Sequence, residues 1–266
     1  MEDILKKLSE HAVYRVETAK KEIPISEVRA LAESLTTGDF PFTKALAKPE
    51  LSFICEVKKA SPSKGIITQE FPYLEIAKDY EAAGADCISV LTEPKWFLGN
   101  LQYLEEVSKT VKTPTLRKDF TVDPYMIYEA KAKGASAILL ICAILDDKQL
   151  SEYLQIAKSL GLSVITEAHT EAEIEMALKA GAPIIGVNNR NLKTFSVDNT
   201  RAGNMRSLVP KDILFVSESG MQNETDVALA KGAGADAVLI GEALMRALDK
   251  KAFLQSLKAA ALNASL

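Results

Sequence analysis

Histidine is close to absent from this chain of 266 residues: only His11 and His169 occur, too few and too far apart for a His-rich metal site. Cysteine is scarce too. Cys55, Cys87 and Cys142 each lie in an apolar, strand-like segment, and an odd count there reads as reduced core thiols, not a disulfide frame or zinc site. There is no basic block, and a net charge of −4 offers no nucleic-acid surface. No apolar run approaches the roughly 20 residues that span a bilayer. Met1-Glu2-Asp3-Ile4 lacks the basic-then-apolar pattern of a signal peptide. No GxGxxG turn occurs, so the usual mark of a dinucleotide-binding sheet is missing. These absences predict a cytoplasmic protein without metal, cofactor, nucleic-acid partner or membrane contact.

What remains is an ordinary globular composition, 47% hydrophobic and 26% charged. It is long enough for one large domain with a substantial core, or for two small ones. Residues 1 to about 48 differ from the rest. Ile4, Leu5, Leu8, Ala12 and Val16 recur at helical spacing, and Ile25-Ser26-Glu27 can open a second helix with Ser26 as N-cap. Thr36-Thr37-Gly38-Asp39 then breaks the chain before Phe40-Pro41-Phe42. The reading is a helical extension packed on the main body, its aromatics sealing one end.

From residue 49 a unit repeats: apolar strand, polar turn, amphipathic helix, small-residue stop. The stops Ala83-Gly84-Ala85, Lys133-Gly134-Ala135, Ala180-Gly181-Ala182 and Ala233-Gly234-Ala235 place glycine where a helix ends in left-handed backbone. Strands are expected near 52–58, 87–92, 114–118, 137–142, 163–168, 184–189, 213–218 and 237–241. Helices fall near 72–83, 97–109, 123–133, 147–160, 171–180, 199–207 and 223–232, with a helical tail over 242–264. Eight βα units without a linker predict a closed (β/α)₈ barrel, residues 1–266 forming one domain with 1–48 as its helical extension.

A barrel carries its site at the C-terminal ends of its strands. Strand 1 ends with Glu56 and Lys58, which share a face. Strand 3 ends in Arg117-Lys118-Asp119, with Lys118 on the face of Leu116. Strand 5 ends with Glu167, strand 6 with Asn188-Asn189-Arg190, and strand 7 with Glu218-Ser219-Gly220. One charged end is readily a local salt bridge; five of eight at one rim point to a site. Such barrels bind phosphate through the loops after strands 7 and 8 and a short helix N-terminus. Here those loops carry Ser219, Gly220, Gly241 and Glu242. The Glu242 carboxylate has to point away from an anion, leaving its amide as the ligand. The Ser61-Pro62-Ser63 turn can close over the same anion.

The runs Cys55-Glu56-Val57-Lys58-Lys59-Ala60-Ser61-Pro62-Ser63, Leu116-Arg117-Lys118-Asp119-Phe120, Thr166-Glu167-Ala168-His169, Gly186-Val187-Asn188-Asn189-Arg190-Asn191-Leu192 and Ser217-Glu218-Ser219-Gly220 occur in family order. Together they resemble the signature of indole-3-glycerol phosphate synthase, over essentially the whole chain. Two departures are visible: Trp96 stands where the family often has phenylalanine, and Glu242 where a small hydroxyl residue is expected. The resemblance implies closure of 1-(2-carboxyphenylamino)-1-deoxyribulose 5-phosphate to indole-3-glycerol phosphate, with loss of carbon dioxide and water, in tryptophan biosynthesis. Its only partner is then a phosphorylated small molecule. A monomer is expected, and association with other enzymes of that pathway is left open.

Ring closure needs a protonated or clamped ketone oxygen, and Lys118 suits the acid, with a pKa expected to fall through burial near Arg117 and Lys58. Glu167 suits the base. Asn188 and Glu56 can orient the anilino nitrogen and a sugar hydroxyl, Lys58 or Arg190 can hold the anthranilate carboxylate, and spacing does not divide the proton transfers between Lys58 and Lys118. Ser219 joins this catalytic set. Ser61, Phe120, Arg190, Leu192 and Glu218 are assigned to the substrate, and Ser219, Gly220, Gly241 and Glu242 to its phosphate. Pro62, Phe97, Phe120, Leu139, Ile141 and Leu192 can build an apolar slot for the ring, though Leu139 and Ile141 read first as barrel core. The rival readings are an Amadori isomerase, an aldolase with Lys118 as Schiff-base nucleophile, and a non-catalytic binding barrel.

Overall fold

The computed structural model describes residues 4–264. The chain start Met1-Glu2-Asp3, and with it the expectation about a signal peptide, lies outside the described residues. Eight parallel strands close a barrel: β1 (Ser52–Val57), β2 (Cys87–Leu91), β3 (Thr115–Lys118), β4 (Ala137–Ile141), β5 (Ser163–Ala168), β6 (Ile184–Asn188), β7 (Leu214–Glu218) and β8 (Ala237–Ile240). Each pairs with its neighbour in sequence, and β8 returns to β1 with Ser52 opposite Ala237. Around it run α4 (Tyr73–Ala82), α5 (Leu101–Thr110), α6 (Pro124–Ala132), α7 (Asp147–Ser159), α8 (Glu171–Lys179), α9 (Arg201–Arg206) and α10 (Glu224–Gly232), followed by α11 (Glu242–Arg246) and α12 (Lys250–Asn263). They follow α1 (Ile4–Glu22), α2 (Ile25–Ser34) and α3 (Pro41–Leu46). Gly84, Gly134, Gly181 and Gly234 all take left-handed backbone, as expected of helix stops. Among the described residues no helix is long and apolar enough to cross a membrane.

Strand alternation divides the core in two. Phe53, Cys55, Val57, Ile138 and Leu140 face the helices. Ile54, Leu116, Ile165, Ile184 and Val216 face inward and fill the barrel. Two residues further along those same inward rows come Glu56, Lys118, Glu167, Glu218 and, beyond Gly186, Asn188. The interior thus changes from packed aliphatic layers to a charged layer within one pleat.

The extension touches both ends of the barrel. Phe42 and Leu46 on α3 are fully buried in the interior cluster. The Thr43 amide and hydroxyl both donate to Ser163 Oγ, at 3.1 and 2.8 Å, at the start of β5. Ser52 Oγ donates to Ala45 O at the start of β1. This is the seal expected of the aromatics, made by Phe42. Then α2 runs along α6, where Lys131 Nζ donates to Thr36 O at 2.8 Å. At the other end α1 lies across the strand C-termini.

Three boundaries differ from expectation. The cap position of α2 is Pro24, with no side-chain bond, and Ser26 lies inside the first turn: proline already fixes the entry dihedral. The helix expected from 97 begins at Leu101, because Asn100 Oδ1 accepts from the Gln102 amide and sets the cap there. The tail is two helices, the second restarted by Asp249. A small antiparallel ladder of Ala60–Ser61 with Gly65–Ile66 was also not expected; it stiffens the loop after β1.

Candidate active site

One cavity opens at the C-terminal rim, lined by residues of all eight strand ends or their loops and by α1. Glu56, Lys58, Lys118, Glu167, Asn188 and Ser219 all border it, as do Ser61, Phe120, Arg190, Leu192 and Glu218. Gly220, Gly241 and Glu242 lie on the same wall. Every residue assigned from the sequence therefore meets at one place.

At the centre is Lys118. Its Nζ is 3.3 Å from Glu167 Oε2 and 3.4 Å from Glu218 Oε2. Burial favours the neutral amine, but Glu167, Glu218 and Glu56 together outweigh it and hold the Lys118 pKa above the ordinary lysine value. This corrects the expectation of a lowered pKa. Alternation sends Arg117 to the outside of the barrel, where it bonds Met126 O at 2.9 Å and Glu129 at 2.8 Å, so it is no neighbour of Lys118. Lys58 is paired with Glu56.

Glu167 is fixed from three sides. Burial opposes its charge, but Lys118, His169 Nε2 at 3.2 Å and Asn188 Nδ2 at 3.1 Å keep its pKa well below the usual carboxylate range. His169 is in turn 3.5 Å from Glu173 on α8. Burial alone would deprotonate it, yet the two carboxylates push its pKa up to about 10. Spacing two beyond Glu167 on β5 was the available signal for His169. Glu218 behaves differently from Glu167: burial, together with the charges of Glu167 and Glu56, outweighs Lys118 and pushes its pKa up to about 7. Its carboxylate lies over Gly186 of β6, where a Cβ would collide with it.

The far wall is backbone. Ser219 and Gly220 both have left-handed dihedrals, at φ 64° and 83°, where the chain leaves β7. Asn189 faces away from the cavity and holds this turn, donating from Nδ2 to Ser219 O at 3.1 Å. Gly241 leaves room of another kind: a Cβ there would overlap Glu56 Oε2 and sit 2.8 Å from Lys58 Nζ, so the pair would have to shift. The Glu242 carboxylate accepts from Arg246 Nε at 3.1 Å and lies 3.8 Å from Lys64.

An apolar side completes the cavity. Pro62, Phe97, Phe120 and Leu192 border it, with Phe97 and Phe120 at 6.1 Å between ring centroids. Leu139 and Ile141 belong to the interior core and also form the cavity floor, so they are both things at once. Sequence reasoning missed Ile4 and Leu8 of α1, which line the same side. Their helical spacing marked them as buried, without showing against what.

Comparisons with known proteins follow the same lines. Residues 5–257 match the model of the family described as indole-3-glycerol phosphate synthase. The indole-3-glycerol phosphate synthase of Ruminiclostridium cellulolyticum is 56% identical over 97% of this chain and 100% of its own length. That of Endomicrobium trichonymphae is 50% identical over 96% and 99%. Among solved structures, 3-hexulose-6-phosphate synthase from Salmonella typhimurium superposes with a TM-score of 0.66 at 14% identity, over 80% of this chain and 100% of that one. Thiamine phosphate pyrophosphorylase from Pyrococcus furiosus does so at 0.62 and 16%, over 80% and 96%; these two share the barrel fold. On the family match and on relatives at half identity or more over nearly its whole length, this chain belongs to the indole-3-glycerol phosphate synthase family.

Proposed function

We propose that this chain closes 1-(2-carboxyphenylamino)-1-deoxyribulose 5-phosphate to indole-3-glycerol phosphate, releasing carbon dioxide and water, with Lys118 as the acid and Glu167 as the base. The observation that carries this reading is the Lys118 ammonium held 3.3 and 3.4 Å from two buried carboxylates beside an apolar, aromatic-lined wall. Attack of the electron-rich ring carbon on the ketone needs a proton at the ketone oxygen, and a lysine kept charged by three carboxylates can deliver it. Loss of carbon dioxide follows. The hydroxyl, given a proton by Lys58 or Lys118, then departs as water, and Glu167, unprotonated and aimed by Asn188 and His169, takes the ring proton that restores aromaticity. The charged state of Lys118 argues against a Schiff-base aldolase, which needs a neutral amine.

The remaining roles are assigned by position. Phe97, Phe120 and Leu192 hold the aromatic ring. Arg190 or Lys58 grips the carboxylate that is lost, and Glu56, Asn188 and Glu218 orient the anilino nitrogen and sugar hydroxyls. Ser219, Gly220 and the amides at Gly241 and Glu242 receive the phosphate, with Ser61 closing over it. The chain is read as working without a cofactor, as one domain and as a monomer. Three buried free thiols support a reducing, cytoplasmic setting.

Incubation with the carboxyphenylamino-deoxyribulose phosphate, followed by indole fluorescence, tests the reading. Product formation that disappears in Lys118→Ala is expected. A folded wild-type protein that forms no indole, or a covalent adduct trapped by borohydride, overturns it.

A further inference from the structure

The helix α1 presents a stripe at positions 4, 8, 11 and 15 to the barrel rim, one face at helical spacing. Ile4 and Leu8 border the cavity. His11 and Arg15, further along, reach two carboxylates that take no part in the proposed chemistry. His11 Nδ1 lies 3.2 Å from Glu93 Oε1. Arg15 donates from Nη1 and Nη2 to both oxygens of Asp119, at 3.1 and 2.6 Å. Both acids are buried, so each is costly without such partners.

Each carboxylate organises the loop that follows it. Glu93 accepts from the Lys95 amide at 3.0 Å, the Trp96 amide at 2.7 Å and the Phe97 amide at 3.1 Å. Gly99 N closes back on Glu93 O at 2.8 Å. Asp119 accepts from the amide of Phe120 at 2.8 Å and from Thr92 Oγ1 at 2.6 Å. The first side chains these loops send into the cavity are Phe97 and Phe120, whose rings meet on its apolar side at 6.1 Å between centroids. The two rings of the apolar side thus hang from acids that α1 also holds.

We propose that His11 and Arg15 are positioning residues which, through Glu93 and Asp119, set the places of Phe97 and Phe120 and so the fit of the slot to the aromatic ring of the substrate. The inference rests on the slot holding that ring. A slot grips the ring alike in ground and transition states, so loosening it raises KM and leaves kcat nearly unchanged. For His11→Ala and Arg15→Ala, measured on protein folded by circular dichroism, KM is expected to rise about tenfold with kcat within about twofold. His11→Asn, which puts an amide nitrogen near the place of Nδ1, restores the wild-type KM. In a double-mutant cycle, Arg15→Ala adds its full effect to His11→Ala, because the two act on separate carboxylates.

Trp96 supplies a readout independent of turnover. It is the only tryptophan in the chain, and its ring meets His11 edge-on at 5.3 Å between centroids. Its emission shifts in His11→Ala and Glu93→Gln and stays put in Arg15→Ala. Wild-type KM in the folded variants, a fall in kcat alone, or failure of His11→Asn to restore KM overturns the proposal. A wild-type protein inert toward the substrate removes the slot reading instead. The Trp96 emission then still decides whether His11 and Glu93 hold the loop, an unchanged spectrum counting against it.

Discussion

The two ends of this barrel are built from opposite materials. The end where the strands start is closed by Phe42 and Leu46, fully buried, by Thr43 Oγ1 donating to Ser163 Oγ and by Ser52 Oγ donating to Ala45 O of α3. The other end carries Lys118 among Glu56, Glu167 and Glu218, every one of them buried or nearly so. One N-terminal segment covers both, through α3 below and α1 above. Loss of neutral packing below should then leave the chemistry untouched, and removal of charge above should leave the fold closed. The division of labour is the usual one for such barrels, stability at one face and reaction at the other.

The largest effect should come from the charged end. Lys118→Ala removes the proposed proton donor, and turnover should drop roughly a hundred- to ten-thousandfold, read by indole fluorescence while circular dichroism stays native. Phe42→Ala is its mirror. Truncating a fully buried phenylalanine should destabilise by about 3–5 kcal/mol, seen as a lower urea midpoint. The kcat/KM of the folded protein should stay near wild type. If Phe42→Ala lowers kcat/KM as strongly as it lowers stability, the two ends are coupled and the separation fails. Between these lies Gly241→Ala, which forces a methyl group against Glu56 and Lys58. Displacing that pair by a fraction of an ångström should lower kcat/KM by on the order of a hundredfold with stability little changed.

How far each end could be read from the sequence differs for the same physical reason. The charged rim was legible because strand period and strand end are local facts: Glu56, Lys118, Glu167, Asn188 and Glu218 each follow an apolar run on the inward row. The eight strands were legible likewise, to within a residue or two. The direction of the Lys118 pKa shift differs from the expectation, although the alternation that puts Lys118 on the face of Leu116 also turns Arg117 outward. What α1 does was not legible. The pairs Arg15 with Asp119 and His11 with Glu93 join positions 104 and 82 residues apart, and no spacing rule reaches that far. Phe42 could be guessed as a seal from composition, but not which ring of Phe40 and Phe42 would enter. The cap of α2 was misplaced because serine is a common N-cap and Pro24 made the bond unnecessary.

The finest test of the comparison is Glu218→Gln, a change of charge within the buried rim. The Glu218 pKa in the fold is pushed up to about 7, while an unfolded glutamate titrates near 4.3 (roughly its peptide value). Between those values the folded protein keeps a proton that the unfolded chain has lost. Folding stability therefore falls as pH rises through that window, and the loss is complete above the folded pKa. Glutamine carries no such charge. The melting temperature of Glu218→Gln should match wild type near pH 4 and exceed it increasingly toward pH 8, by about 2–4 °C for each kcal/mol involved. Phe42→Ala, whose loss is neutral, should show a deficit that does not vary over the same range. A Glu218→Gln curve parallel to wild type would mean that Lys118 fully compensates the carboxylate, and that the charged end is no more strained than the apolar one.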